Sequence, residues 1–279
     1  MERGWLPTEV EIEHKSIQFR MPNDLEKTYN DYFEQFFKRE HGEDSATVML
    51  TEKPVAWTDR TRLLIKTKLN FYSYSQFYWH NVILDIDRYN SMINELYQSG
   101  SVSFPHNLCM QLVVMTKDDK VLLTLRSEKV GTDRGTWSCS IEENLKPDDL
   151  RGERKATFTR WMRRAIFEEL GVSNHYYTEH NLRILSVFLE ANRMNISMVG
   201  LVTLDLSYEE LSKIIASLPR NDYEFTDYGS MNLQEMAREL VNPSRNYHPT
   251  SRYRMLMTLL HIYEEPDFAR KFIELVGVN

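Results

Sequence analysis

The sequence has little cysteine, glycine and proline, and it has no long basic or apolar run. Its 279 residues include 2 cysteines, 10 glycines and 9 prolines. Cys109 and Cys139 are too few for a disulfide framework or a zinc finger, which suits a reducing compartment. No apolar run approaches the roughly 20 residues that cross a bilayer, and no signal-peptide core follows the first residues. We therefore expect a soluble, cytoplasmic protein that does not bind membranes.

The charge balance is acidic. The formal net charge is -7, with 27% charged and 42% hydrophobic residues. This balance, without a basic run, argues against nucleic-acid binding. An anionic ligand would therefore need local arginines or a bound cation to enter a site. The length allows one large domain or two modest ones.

The first part of the chain has an irregular order of predicted elements. Periodicity predicts a strand within 8–20, a helix at 25–39, strands at 47–50 and 62–72, and a helix at 87–97. Residues 98–105 (QSGSVSFP) have the composition of a linker. We thus predict an N-terminal α+β domain over residues 1–100 and a second domain over 101–279, and a homodimer stays possible.

The second part begins with a predicted hairpin, whose strands at 109–116 and 121–126 flank a turn. Further strands are predicted at 135–141, 182–190, 194–206 and 223–228. Helices are predicted up to residue 170, at 207–218, 232–240 and 248–263, and beyond Pro266. Hairpins mixed with helices indicate an α+β fold rather than regular βαβ alternation.

Residues 72–79 (YSYSQFYW) are rich in aromatic side chains. Such a segment could offer a stacking surface for a base or another ring. Aromatic side chains also dominate burial in any domain, and we favour that packing role for this segment.

The most informative stretch is 161–172 (WMRRAIFEELGV), which ends a predicted helix. Apolar side chains recur on one side of this helix, at Phe158, Met162, Ala165 and Ile166. Glu169 falls within that apolar stripe, and Glu168 falls at its edge near Arg164. A carboxylate on a buried face is costly unless it is paired or binds a cation, and hard cations take oxygen ligands. A divalent-metal site and a partly wet helix end are both compatible with this spacing.

These residues resemble the second half of the sequence box of Nudix hydrolases. The matching positions are Arg164, Ile166, Glu168, Glu169, Gly171 and Val172. In the first half, Leu150, Ala156 and Ala165 stand where the box has a Gly and two Glu residues. Gly152 and Glu153 could supply a Gly and a Glu after a three-residue insertion. The resemblance covers about residues 106–262 and implies a Nudix-like α/β/α sandwich with a mixed sheet.

Within this superfamily the pattern is most similar to the isopentenyl-diphosphate isomerase branch. The similarity includes Arg126, the motif at 137–141, Arg163-Arg164, Glu169-Leu-Gly and the acidic segment 221–228. It implies that Arg126 binds a diphosphate and that Glu169 and Glu224 are metal ligands. The catalytic cysteine of that branch falls on Glu142, and a histidine ligand falls on Asn144. Isomerisation is therefore not expected.

The same residues suggest roles in diphosphate chemistry. Glu168, Glu169 and Glu224 are the candidate ligands of Mg²⁺ or Mn²⁺. Catalytic candidates are Glu169, Glu142 and Glu143, with Glu190 as a further candidate base. Candidate substrate-binding residues are Arg126, Lys129 and Arg164, the last at a spacing that also suits an ion pair with Glu168.

Two function classes remain open at this point. One is a Mg²⁺-dependent hydrolase of a diphosphate linkage in a nucleoside diphosphate derivative, and the other is a non-catalytic module that binds a nucleotide or a protein partner. Convergence of Glu142, Glu143, Glu168, Glu169 and Glu224 on one ion would favour catalysis. Exposure of Glu142 and Glu143 to solvent would favour binding. A purely structural role is a third and weaker possibility.

Overall fold

A computed structural model describes residues 4–57, 61–218, 224–263 and 268–277. The N-terminal part contains a four-stranded sheet with β4 in its centre. Its strands are β1 (Val10–Gln18), β2 (Ala46–Leu50), β3 (Val55–Ala56) and β4 (Leu63–Phe71). The accompanying helices are α1 (Asn23–Tyr32), α2 (Lys38–His41), α3 (Tyr72–His80) and α4 (Ile86–Ser99), with a π-helical turn, Phe33–Phe37, between α1 and α2. β1 runs parallel to β4, whereas β2 and β3 run antiparallel to it.

The second part contains a seven-stranded mixed sheet in the order β11-β6-β5-β10-β9. Its strands are β5 (Cys109–Thr116), β6 (Lys120–Arg126), β7 (Trp137–Ser138), β8 (Ile141–Asn144), β9 (Leu182–Glu190), β10 (Asn195–Leu204) and β11 (Phe225–Asn232). β7 pairs with β6, and β8 pairs with β5. The β5–β10 pair is parallel, and the other pairs are antiparallel.

Helices cover both faces of this sheet. They are α5 (Thr157–Leu170), α6 (Tyr208–Ser217), α7 (Leu233–Val241), α8 (Ser251–Tyr263) and α9 (Phe268–Val276). Met110, Leu112 and Val114 of β5 face a core shared with α5. Their neighbours Val113 and Met115 face a second core built with α7 and α8. The mixed α+β order and the α/β/α sandwich predicted from the sequence are confirmed.

The core on the α5 side continues into the N-terminal sheet, where it includes Val10 and Leu50. Backbone hydrogen bonds also join the two parts, such as Leu108 N to Val48 O at 2.8 Å. One apolar core is therefore shared by the parts of the chain before and after residues 98–105. The division into two domains at residue 100 stays a prediction. In the residues that the structure describes, no helix has the length and apolarity that a membrane span requires.

One predicted strand is wrong as a single element. Residues 135–141 form two short strands, β7 and β8, which pair with different neighbours. Between them the backbone is bonded by side chains instead of a continuous ladder, because Arg254 donates to Cys139 O and Thr124 Oγ1 donates to Ser140 O. The predicted strand at 223–228 begins at Phe225 and runs on to Asn232, while Tyr223 lies outside the described residues, as does Pro266.

Gly171 ends α5 in a left-handed conformation with φ of 65°, and a Cβ there would lie 2.5 Å from Leu218 Cδ2. Gly100 ends α4 in the same way, but a Cβ would meet only the flexible side chain of Lys53. Both alanine variants incur a left-handed backbone cost of roughly 1–2 kcal/mol, and Gly171→Ala must also displace Leu218. We expect the larger loss of unfolding free energy for Gly171→Ala in urea denaturation. Equal losses would mean that Leu218 adjusts at no cost.

Candidate active site

A cavity of about 750 Å³ opens between helix α3 and the seven-stranded sheet. Its size is that of pockets that hold small organic ligands. It brings together five of the acids singled out in the sequence, namely Glu142, Glu143, Glu169, Glu190 and Glu224. Glu168 does not line it, and its side chain is 45% exposed.

Glu169 occupies the last turn of α5 and faces the cavity. Within the described residues its carboxylate has neither an ion pair nor a hydrogen bond, unlike its neighbour Glu168. Burial raises the pKa of Glu169 to about 8, and the nearby charges of Glu224, Glu143 and Glu168 add to this rise. A side chain with these properties is one that a cation would stabilise.

Glu224 lies just before β11 on the same cavity. Its backbone carbonyl accepts a hydrogen bond from Ser127 N at 3.0 Å, which ties this residue to the end of β6. Burial raises the pKa of Glu224, and the positive charge of Arg126 opposes the rise. Glu169 and Glu224 are thus two carboxylates whose charges are poorly compensated by the protein itself.

Arg164, one turn before Glu168, is the centre of an ion-pair network. It contacts Asp149 at 2.7 Å and both Glu143 and Glu168 at 3.0 Å. Burial disfavours its charge, but the hydrogen bond with Asp149 and the charge of Glu143 raise the pKa of Arg164. The predicted pairing with Glu168 is confirmed.

This pairing leaves Arg164 occupied by carboxylates rather than open to a substrate. Lys146 also contacts Glu168 at 3.2 Å, so that carboxylate has two cationic partners. Asp149 was not identified from the sequence, because its acidic stretch has no periodicity that places it against a helix.

Glu142 is held by two arginines instead of facing solvent. Its carboxylate contacts Arg126 at 3.2 Å and forms a close ion pair with the fully buried Arg254. Burial alone would raise the pKa of Glu142, but His248 and the two arginines together lower it below its usual range. Since burial lowers the pKa of His248 to about 4, its imidazole is neutral near pH 7 and the arginines carry this stabilisation.

Among the residues with a described structure, two arginines line the cavity. One is Arg126 at the end of β6, and the other is Arg193 in the turn between β9 and β10, which was not identified from the sequence. The Arg193 guanidinium is paired with Asp133 and lies 5.1 Å from the centre of the Trp79 ring. Burial and the charge of Arg126 lower the pKa of Arg193 to about 10. By contrast, Lys129 is exposed and does not line the cavity.

Glu190 is 7% exposed and accepts hydrogen bonds from three side chains. Its donors are Ser197, Asn195 and Gln111. Burial raises the pKa of Glu190 despite these bonds. The carboxylate is therefore fixed in place, and it keeps the candidacy as a base that its position at a strand end suggested.

The carboxylates of the cavity are suitable ligands for a hard cation, but they do not form a complete ligand set. Among the residues that the structure describes, no three His, Cys, Asp or Glu side chains are arranged to hold a metal ion. Mg²⁺ is usually held by one or two carboxylates together with waters and substrate phosphates. Glu169 and Glu224 are two carboxylates on one cavity, so the residues present fit an ion that would bind together with its substrate.

Comparisons with known proteins give only distant likenesses. No family profile and no curated protein matches the chain. Among solved structures, Tm1382, a putative Nudix hydrolase, is 14% identical over 81% of this chain and 93% of its own, with a TM-score of 0.39. The Nudix domain of Shewanella oneidensis NrtR, solved with ADP ribose, is 13% identical over 61% of this chain and 97% of its own, with a TM-score of 0.39. A Nudix hydrolase from Nitrosomonas europaea is 12% identical over 55% of this chain and 88% of its own, with a TM-score of 0.35.

Proposed function

We propose that the protein hydrolyses a diphosphate linkage in a nucleoside diphosphate derivative, with the help of Mg²⁺ or Mn²⁺. The observation that carries this proposal is the pairing of functions in one cavity: Glu169 and Glu224 offer poorly compensated carboxylates, and Arg126 and Arg193, each also paired with one carboxylate of the protein, offer guanidinium groups. The first pair suits a divalent cation, and the second pair suits phosphate oxygens.

Glu169 and Glu224 would hold the cation, with Glu168 as a third ligand if it left Arg164 and Lys146. When bound, the cation would neutralise phosphate oxygens and lower the pKa of a bound water. Arg126, which donates to Thr132 O and to Glu142, is oriented from two sides and would bind a phosphate.

Glu143 is the carboxylate that we assign to accept the proton of the attacking water. Glu143 lines the cavity, and its negative charge contributes to the raised pKa of Glu169. Its ion pair with Arg164 fixes its position. Glu142 would keep Arg126 in place, because its carboxylate lies between Arg126 and the fully buried Arg254 and contacts both. Water would attack phosphorus, the bridging P–O bond would break, and the second phosphate would leave.

A second candidate is a module that binds the same ligand without turnover. The specific observation in its favour is the alanine at position 165, which replaces a box carboxylate and is itself buried. Three further acids, Glu142, Glu143 and Glu168, are already paired with Arg or Lys side chains. Both candidates predict ligand binding, and they differ in whether product forms.

Replacing Glu224 tests the metal site. We expect Glu224→Gln to reduce Mg²⁺-dependent phosphate release from nucleoside diphosphate derivatives about 100-fold or more, because one of two ion ligands is lost. Asp227→Asn, an exposed position on the same segment, is the matched control and should keep wild-type turnover. The assay measures released phosphate or nucleotide with Mg²⁺, with Mn²⁺ and with a chelator.

Turnover that persists in the chelator, or that Glu224→Gln leaves intact, would contradict the metal role. Metal-dependent ligand binding without product formation in the wild type would favour the non-catalytic module.

A further inference from the structure

The cavity has one charged wall and one uncharged wall. Each charged side chain that lines it, among the described residues, belongs to a segment after residue 100. The lining residues before residue 100 come from α3 and from the segment around β2, and all of them are uncharged. A ligand with a phosphorylated end and an uncharged end therefore matches the cavity in only one orientation.

Four residues of the uncharged wall share one face of α3. They are Tyr72, Ser75, Gln76 and Trp79. Ser75 and Gln76 lie three and four residues after Tyr72, and Trp79 lies four and three residues after them, so all four are on one side of the helix. Ser75 is occupied, since it donates to Asn107 and accepts from Asn70. This face thus offers two aromatic rings on either side of one amide, that of Gln76.

The amide of Gln76 is available for a ligand. In the described part of the chain no hydrogen bond involves its side chain, although it lines the cavity and is only partly exposed. A primary amide presents a donor beside an acceptor, the pattern that complements the edge of a nucleobase.

The two rings are held rather than loose. Trp79 packs against the guanidinium of Arg193 at 5.1 Å and against the His80 ring at 4.4 Å. Tyr72 packs against Phe37 with ring centres 6.0 Å apart. Aromatic side chains fixed in this way provide contact area for a planar ring without a large loss of side-chain entropy.

We propose that this face of α3 is a nucleobase-binding subsite, so that the N-terminal part of the chain selects the substrate. Gln76 recognises the edge of the base, and Trp79 and Tyr72 contact its ring. The proposal rests on the proposed function in one respect, namely that the phosphates occupy the charged wall. With the base on the uncharged wall and the phosphates on the charged wall, the scissile linkage would lie beside Glu169 and Glu224.

Calorimetric titration can test this subsite. The probes are ADP, GDP, CDP and UDP against inorganic diphosphate, all with Mg²⁺. We expect wild type to bind at least one nucleoside diphosphate roughly 5- to 150-fold more tightly than inorganic diphosphate, the range given by one base on one aromatic contact.

Trp79→Ala should lose that preference and Gln76→Leu should reduce it, while both variants bind inorganic diphosphate as wild type does. Gln76→Leu changes little volume, so it tests the amide even if Trp79→Ala destabilises the fold. Trp57→Ala removes a half-exposed tryptophan outside the cavity and should keep the preference.

A wild-type protein that binds inorganic diphosphate as tightly as all four nucleotides would overturn the subsite, and so would variants that keep the preference. The proposed hydrolysis fails separately, if no diphosphate probe is bound in a metal-dependent manner or turned over. Titration with the uncharged nucleosides separates the two cases, because a nucleoside that binds Glu169→Gln as well as wild type supports the subsite without any hydrolysis.

Discussion

Glu169→Gln is expected to make the metal-free protein more stable at pH 8 while it abolishes metal-dependent turnover. The side chain is largely buried beside Glu224, Glu143 and Glu168, and its pKa is raised from 4.5 to about 8. A pKa unit corresponds to about 1.36 kcal/mol, so we expect Glu169→Gln to raise the unfolding free energy at pH 8 by roughly 2–5 kcal/mol. Turnover should fall because the variant amide is a poor ligand for a hard cation.

The direction of the pH dependence follows from the raised pKa. Between pH 4.5 and pH 8 the unfolded chain loses the Glu169 proton while the folded chain keeps it, so folding is increasingly penalised as pH rises. The stability difference between Glu169→Gln and wild type should therefore be largest at pH 8 and above. It should narrow as pH falls toward 4.5.

Urea denaturation with a chelator at pH 5 and pH 8 measures this difference. Glu168→Gln is the matched control, because it removes a carboxylate that is already paired with Arg164 and Lys146 and should give no gain. No gain for Glu169→Gln would show that the carboxylate is well solvated. A gain combined with full turnover would remove Glu169 from the metal site.

The regular elements follow from local signals in the sequence. Cys109–Thr116 and Leu182–Glu190 are continuous or alternating apolar runs, and the structure has both strands at these limits. The split between β7 and β8 could not be predicted in this way. It depends on contacts such as that of Arg254, more than a hundred residues further along the chain, which donates to Cys139 O in the gap.

The site could be predicted in part for the same reason. Glu169 stood out because a carboxylate on an apolar helix face conflicts with burial, and the conflict is local. The partners of Glu142 and Glu143 are contacts across the fold, so the sequence did not indicate that arginines already occupy both acids. Arg193 carries no local signal, since a lone arginine in a turn looks like any solvent-facing residue.

The aromatic residues at 72–79 contribute both to the core and to the cavity. Packing was the favoured interpretation of residues 72–79, and Phe77 and Tyr78 are indeed buried in the core. Trp79 and Tyr72 lie on the opposite side of α3 and line the cavity. Helix α3 therefore contributes side chains both to the core and to the cavity. Its position against the seven-stranded sheet decides which side chains are packed and which line the cavity.

Arg254→Met is expected to destabilise the fold by about 3–5 kcal/mol, the cost of leaving a buried ion-pair partner behind. Arg254 is fully buried and donates to Gln111, Ser138 and Thr250 as well as to Glu142. Its loss leaves Glu142, within the described residues, with Arg126 as its one arginine partner and His248 nearby, in a pocket whose burial disfavours the carboxylate charge. Urea denaturation at pH 7 measures the change in unfolding free energy.

The matched control is Arg252→Met, an exposed arginine on the same helix, which should change stability by less than about 0.5 kcal/mol. Adding Glu142→Gln to Arg254→Met should recover part of the loss, because it removes the stranded charge. The loss should also shrink as the pH falls, because without Arg254 burial raises the pKa of Glu142 and the carboxylate is protonated more readily than in wild type. A loss no larger than that of the control would mean that Arg126 alone balances Glu142, and Arg126 would then be less free to bind phosphate than we propose.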